Sequence, residues 1–353
     1  MSISLSYPVK TFRNLDGPLI DVRSPVEFSK GHWPGATSLP LFSDEERELI
    51  GKSYKNQGKE QAILLGLKII NPKLSNFKRQ LEDLMELESH KQISSTEERV
   101  LRIYCWRGGM RSSSLSWFAN LLEIKAVVLE GGYKAYRNWV LEQFRHQWDI
   151  TLLAGKTGTG KTDLLIELSK RGVPIIDLEG LANHRGSSFG GLGLPIQPTT
   201  EHYENQIAEA LQESKGSKFS SIWIEAESSS LGKCRIPNDF FKQMRLGPII
   251  EITRKDEERI ERLVTLYGAQ GKEELKEATL RIQKRLGPQR TKKAIDAIDK
   301  DKLNLACIQM LNYYDRCYDY ELSKSEQRRE AVDISGLSNK FAANKLLKEG
   351  LIN

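Results

Sequence analysis

The stretch Ile150-Thr151-Leu152-Leu153-Ala154-Gly155-Lys156-Thr157-Gly158-Thr159-Gly160-Lys161-Thr162-Asp163-Leu164-Leu165-Ile166 reads as an apolar strand, a glycine-rich turn and the start of a helix. Within it, Gly155, Lys156, Thr157, Gly158, Thr159, Gly160, Lys161 and Thr162 satisfy G-x-x-x-x-G-K-[ST] between the strand and the helix that this pattern requires. The glycines let backbone N–H groups wrap a di- or triphosphate, Lys161 brings a point charge, and Thr162 is placed to ligate Mg²⁺. Phosphate binding is therefore expected. The rest of the ligand stays open, because the next predicted strand ends in Glu225 rather than an aspartate and no base-recognition element stands out.

Outward from this loop, short apolar runs alternate with helical patterns, the signature of parallel sheets with crossover helices. Strands are predicted at Leu19–Val22, Val100–Cys105, Ala126–Leu129, Pro174–Asp177, Ser221–Glu225 and Pro248–Thr253, and Tyr133–Trp148 has helical spacing that joins two modules. After Lys255 the pattern is almost entirely helical to the end. An α/β architecture follows, with domains expected at 1–145, 146–255 and a helical region at 256–353. The 353 residues exceed what one core usually organises.

Composition excludes several classes. With 39% hydrophobic and 28% charged residues the chain is globular rather than disordered or fibrous. No apolar run approaches the roughly 20 residues of a spanning helix, and the N-terminal MSISLSYPVK lacks the apolar core of a secretory signal, so a cytoplasmic protein without membrane partners is expected. Cys105, Cys234, Cys307 and Cys317 form no C-x-x-C pair, so neither zinc nor a disulfide framework is expected. His32, His90 and His146 read as surface or hydrogen-bonded structural residues.

Cys105 closes an apolar strand and precedes Trp106-Arg107-Gly108-Gly109-Met110-Arg111-Ser112 and a helix. Open α/β sheets place ligands at this end of a strand. Gly108 and Gly109 let backbone N–H groups turn inward, while the helix N-terminus, Arg107 and Arg111 supply positive potential that favours thiolate. An activated nucleophile in an anion cradle is expected. Cys105 to Arg111 also fits the C-x-x-x-x-x-R pattern of cysteine phosphatases, although Tyr104 stands where many of those enzymes have histidine.

A polar, glycine-rich segment from Asp177 to Gly190 follows a strand and suits an active-site loop, in which His184 and Arg185 are candidate contacts to an anionic substrate. Glu225 and Glu227 are further candidates on the same edge. Net charge is +6, and residues 233–353 carry all of the excess, with 25 Lys plus Arg against 19 Asp plus Glu. Its densest acid-free run holds Arg281, Lys284, Arg285, Arg290, Lys292 and Lys293, candidate contacts to nucleic acid. The tyrosines Tyr313, Tyr314, Tyr318 and Tyr320 read as helix packing rather than base stacking.

Three segments in order, Ile20-Asp21-Val22-Arg23-Ser24-Pro25-Val26-Glu27-Phe28, Gly31-His32-Trp33-Pro34-Gly35-Ala36 and Leu129-Glu130-Gly131-Gly132-Tyr133-Lys134-Ala135-Tyr136, resemble the rhodanese homology domain over about residues 5–145. The resemblance implies that Cys105 carries sulfur or selenium as a persulfide or selenosulfide. Joined to the phosphate loop, to Asn183-His184-Arg185-Gly186-Ser187-Ser188-Phe189-Gly190 and to Glu225-Ala226-Glu227-Ser228, the chain resembles the tRNA 2-selenouridine synthase family nearly end to end. This implies conversion of wobble 2-thiouridine in the tRNA anticodon to 2-selenouridine. The co-substrates implied are selenophosphate and geranyl diphosphate, with an S-geranyl intermediate, Cys105 as selenium carrier and Lys161 with its loop on a phosphate or diphosphate. A selenophosphate-supplying enzyme is an implied partner. No D-D-x-x-D motif marks the prenyl diphosphate. An ATP-dependent tRNA sulfurtransferase using a Cys105 persulfide is the competing enzyme, and a non-catalytic RNA-binding protein the competing class; intact Cys105 and Lys161 count against the latter.

Overall fold

A computed structural model describes residues 5–89, 99–323 and 327–352. His90 lies outside the described residues. The chain divides into two compact units, Met1–Glu142 and Gln143–Asn353.

The first unit is built on five parallel strands: β1 (Leu5–Tyr7), β2 (Leu19–Asp21), β3 (Thr37–Ser38), β4 (Leu101–Tyr104) and β5 (Ala126–Leu129), in the order β1-β5-β4-β2-β3. Ile20, Leu101, Ile103 and Ala126 lie in one apolar cluster with Leu115 and Ala119 of the helix Met110–Leu121, and that shared burial holds strands and helix together. The segments that resembled a rhodanese domain serve packing. Asp21 and Arg23 form a buried ion pair, the Arg23 guanidinium lies 3.7 Å from the centre of the Tyr133 ring, and Trp33 stacks on Tyr136 at 4.0 Å.

The second unit holds another parallel five-stranded sheet: β6 (Ile150–Ala154), β7 (Ile175–Ile176), β8 (Ile222–Glu225), β11 (Ile249–Thr253) and β12 (Arg329–Asp333), in the order β12-β11-β6-β8-β7. A short antiparallel ribbon pairs β9 (Ser230–Leu231) with β10 (Cys234–Arg235). The region after 255 is largely helical, as expected, with one strand that the sequence reading did not place. Helices fill 256–323, but β12 then pairs with β11, and Val332, Ile334, Ala342 and Leu346 join the core over the helix Lys161–Ser169. Within β12 only Val332 is buried, so the strand has no apolar run to announce it. Residues beyond 255 are thus part of the second unit.

In the first sheet β4 has its chain-order neighbours β3 and β5 on opposite sides, and in the second β6 has β7 and β8 on one side and β11 and β12 on the other. The carboxyl ends of β4 and β6 are therefore topological switch points, where crevices form in open α/β sheets. Cys105 follows β4 directly and Gly155 follows β6 directly. Among the described residues no helix is long and apolar enough to cross a membrane.

Candidate active site

Cys105 sits under the N-terminus of the helix Met110–Leu121, with only 3% of its surface exposed. Its Sγ receives the Gly109 N–H at 3.2 Å and lies 3.2 Å from Ser112 Oγ. Gly132 closes the loop from behind. It adopts φ +59°, and a Cβ there would lie 2.3 Å from the Cys105 carbonyl oxygen, so only glycine lets the turn approach so closely. The Tyr133 N–H then donates to that carbonyl at 2.8 Å. Gly108, at φ +64°, meets the same turn from the other side.

The two arginines are placed differently from expectation. Arg107 is exposed. Arg111, expected to lend its charge to the sulfur, pairs with Glu27 at 2.9 Å, and Arg47 meets the same carboxylate at 3.0 Å. A capping box on the helix Pro25–Lys30 holds Glu27 in place. Burial pushes the Glu27 carboxyl up, but Arg111 outweighs it and leaves it below its usual range. The cradle thus offers the sulfur a backbone N–H and a hydroxyl, with Arg111 anchoring the helix start to the neighbouring element.

In the second unit the phosphate loop opens on a cleft of about 1970 Å³ lined by Gly155, Lys161, Thr162, Arg185 and Glu227 among others. Lys161 Nζ donates to the Gly155 carbonyl at 3.0 Å, curling over the loop, and Thr159 Oγ1 donates to the Lys156 carbonyl at 2.9 Å. Lys156 itself pairs with Asp319 at 3.0 Å, away from the loop interior.

Beneath the loop lies a cluster only partly read from the sequence. Thr162 Oγ1 is 2.6 Å from Glu225 Oε1 and 3.2 Å from Glu179 Oε2, and carboxylate oxygens of Glu179, Glu225 and Glu227 all lie within 4.8 Å of one another. Glu225 ends β8, is fully buried, and keeps Oε2 without a hydrogen-bond partner. Burial first, and then the charge of Glu227, pushes Glu179 up to about 8. Glu225 and Glu227 are raised as well, chiefly by burial, with Lys161 opposing the rise at all three. Three carboxylates this close cannot all ionise unless protons or a cation offset them. Glu179 had no role in the sequence reading; its signal was its place on the loop that follows a strand of the same sheet.

Arg185 lines the cleft, donates to the Leu192 carbonyl at 2.9 Å and lies 5.7 Å from the centre of the Tyr267 ring. His184 is wedged instead between glycines: a Cβ at Gly190 or at Gly232 would come within 2.8 Å of its ring. Burial and then the charge of Arg281 hold it below the usual imidazole range, so the basic run begins beside this histidine. Arg281, Lys284, Arg285, Lys292 and Lys293 are exposed and Arg290 half-buried. They are distributed over the helices Lys272–Arg281, Gln283–Leu286 and Pro288–Asp299, with Ile282, Leu286 and Ala294 turned into the core. Of the tyrosines, Tyr313 and Tyr314 contact each other at 5.2 Å, and Tyr318 donates to Glu251 at 3.0 Å.

Two arginines that the sequence did not flag brace the loop. Arg259, 2% exposed, donates from Nε to the Thr157 carbonyl at 2.9 Å and from Nη1 to Asp315 at 3.0 Å and Asp256 at 2.7 Å. Arg254 Nε donates to the Thr159 carbonyl at 3.1 Å.

A cysteine cradle on one parallel sheet and a P-loop on the next define the chain as a rhodanese-type module fused to a P-loop module. Family comparison agrees with both halves: residues 9–138 match the rhodanese-like domain, and residues 148–343 match the tRNA 2-selenouridine synthase AAA domain. A tRNA 2-selenouridine synthase of a Sulfurovum species is 36% identical over 88% of this chain and 90% of that protein. Those of Marinobacter nauticus and Hydrogenovibrio crunogenus are each 34% identical, covering 88% and 90% of this chain and 90% and 92% of their own lengths. The chain belongs to the tRNA 2-selenouridine synthase family.

Proposed function

We propose that this protein replaces the sulfur of wobble 2-thiouridine in tRNA by selenium, with selenophosphate as donor and geranyl diphosphate as alkylating co-substrate. The observation that carries this reading is the pairing, in one chain of this family, of a cysteine under a helix N-terminus with a P-loop cleft. The base sulfur attacks C1 of the geranyl group, the C–O bond breaks, and diphosphate leaves with the electron pair. The P-loop N–H groups and Lys161 bind that diphosphate. The selenium of selenophosphate then adds at C2 of the alkylated base and geranyl thiolate departs, after which water attacks phosphorus, the P–Se bond breaks, and phosphate leaves 2-selenouridine behind. Cys105, with Gly109 and Ser112 beside it, is assigned to selenium handling.

The Thr162 hydroxyl with Glu179, Glu225 and Glu227 forms an all-oxygen donor set, and the orphaned Glu225 Oε2 lacks a partner. That set suits a hard divalent cation, and Mg²⁺ held there supplies charge neutralisation to the diphosphate. For the tRNA backbone we assign Arg281, Lys284, Arg285, Arg290, Lys292 and Lys293, which start beside His184. Mass analysis of wobble uridines in tRNA from cells with and without the gene tests the reading. Unchanged 2-selenouridine without the gene would sink it.

A further inference from the structure

A second, smaller cavity of about 60 Å³ adjoins the phosphate cleft. Thr157, Ser187, Leu263, Tyr267 and Tyr314 line both spaces, so the two share a wall that includes a phosphate-loop residue. Beyond that shared wall every lining side chain is hydrocarbon or sulfur, with Ile298, Ala306, Met310 and Leu311 among them. Ile298 and Ala306 are 1% exposed and belong to the helical core cluster. Beyond that wall a nucleotide base would find only the Cys307 thiol to pair with. An apolar void in a close-packed core forfeits contacts, and an apolar guest restores them.

We propose that this slot gauges the hydrocarbon end of a prenyl diphosphate: the phosphates lie on the loop, the first five-carbon unit crosses the shared wall, and the second fills the slot. The proposal rests on the reading of the P-loop as a prenyl diphosphate site and adds the residues that set chain length. Its lining supports the match, since a branched hydrocarbon chain asks for no polar partner where Ile298, Ala306, Met310 and Leu311 face it. Burial of each carbon raises affinity roughly fourfold, so the end of the chain is selected strongly. Ala306 and Met310 lie on the helix Leu303–Ser323 and are the side chains whose size sets the slot's capacity.

Calorimetry on the full chain with inorganic pyrophosphate and with five-, ten- and fifteen-carbon prenyl diphosphates tests this. In the unaltered protein the ten-carbon ester is expected to bind at least roughly thirtyfold tighter than the five-carbon ester, and the fifteen-carbon ester no tighter than the ten. Ala306→Phe fills the slot, so the ten-carbon affinity drops to the five-carbon level while pyrophosphate stays within about twofold. Met310→Ala enlarges it and improves the fifteen-carbon ester at least about fivefold relative to the ten, an independent arm should phenylalanine disturb the helix. Equal binding of five- and ten-carbon esters, with pyrophosphate bound, overturns the slot alone. Loss of all pyrophosphate binding overturns the reading of the loop, and the slot with it.

Discussion

Thr162 Oγ1 lies 2.6 Å from Glu225 Oε1, so the last residue of the phosphate loop donates to a fully buried carboxyl group at the end of β8. Glu179 and Glu227 complete the cluster, and Glu179, pushed up to about 8 by burial and by the charge of Glu227, holds its proton at neutrality. Mg²⁺ binding at about pH 7 is therefore expected to release at least about one proton, and less above pH 8, where Glu179 is already ionised. Calorimetry in buffers of different ionisation enthalpy measures this release. Stability of the metal-free protein follows the same groups. Glu179 keeps a proton up to about 8 in the fold but loses it near 4.5 when unfolded, so stability falls as pH rises through that window. A melting temperature that does not fall between pH 5 and 8 in the presence of chelator would contradict the cluster's protonation.

Cys105→Ala is expected to abolish selenium incorporation while lowering stability by only about 1 kcal/mol, because one sulfur atom leaves a small cavity. Cys105→Ser keeps a hydrogen-bonding atom near the Gly109 N–H and should fold like the parent while remaining inactive. Selenium transfer by Cys105→Ala at the parental rate would remove this residue from the mechanism.

Lys161→Ala removes a charge-assisted contact worth roughly 1.5–3 kcal/mol, so geranyl diphosphate should bind on the order of tenfold to a hundredfold more weakly. Titration with geranyl diphosphate and with ATP checks it. Undiminished binding of both would defeat the assignment.

Arg259 ties the Thr157 carbonyl to Asp315 on the helix Leu303–Ser323. Arg259→Ala strands Asp315 and is expected to cost about 3–5 kcal/mol of stability. Asp315→Asn is the milder test: it should raise the KM for the diphosphate with little change in kcat, as for a residue that positions the loop rather than reacts. A lowered kcat at unchanged KM would contradict this.

Arg285→Glu combined with Arg290→Glu should weaken tRNA binding and lower its salt slope by about one unit per lost phosphate contact, sparing diphosphate binding. A filter-binding titration across salt that returns the parental slope and affinity would move the RNA surface elsewhere.

The two parallel-sheet units, the positions of Cys105 and Gly155 just after central strands, and the family were legible in the residue pattern. Those features depend on near neighbours in the chain: an apolar run, then glycines, then a helix start. A central parallel strand buried on both faces is mostly apolar, so β4, β5, β6 and β11 announce themselves despite Arg102, Thr151 and Glu251 within them. Edge strand β12 does not, because most of its residues face solvent.

What only tertiary structure decided are the partners brought from far away in the chain. Glu27 takes the charge of Arg111, 84 positions distant, which changes the cysteine cradle from the one expected. Glu179 meets Thr162 and Glu225 only because β6 and β8 pair side by side and the helix Leu178–Ala182 closes over their ends. Arg259 reaches Thr157 across 102 positions because the helix Asp256–Tyr267 folds back onto the loop. Local sequence sets backbone preference and burial pattern over a few residues. Which charges neutralise one another depends on the crossover path that carries each element to its neighbour, and no local spacing encodes that path.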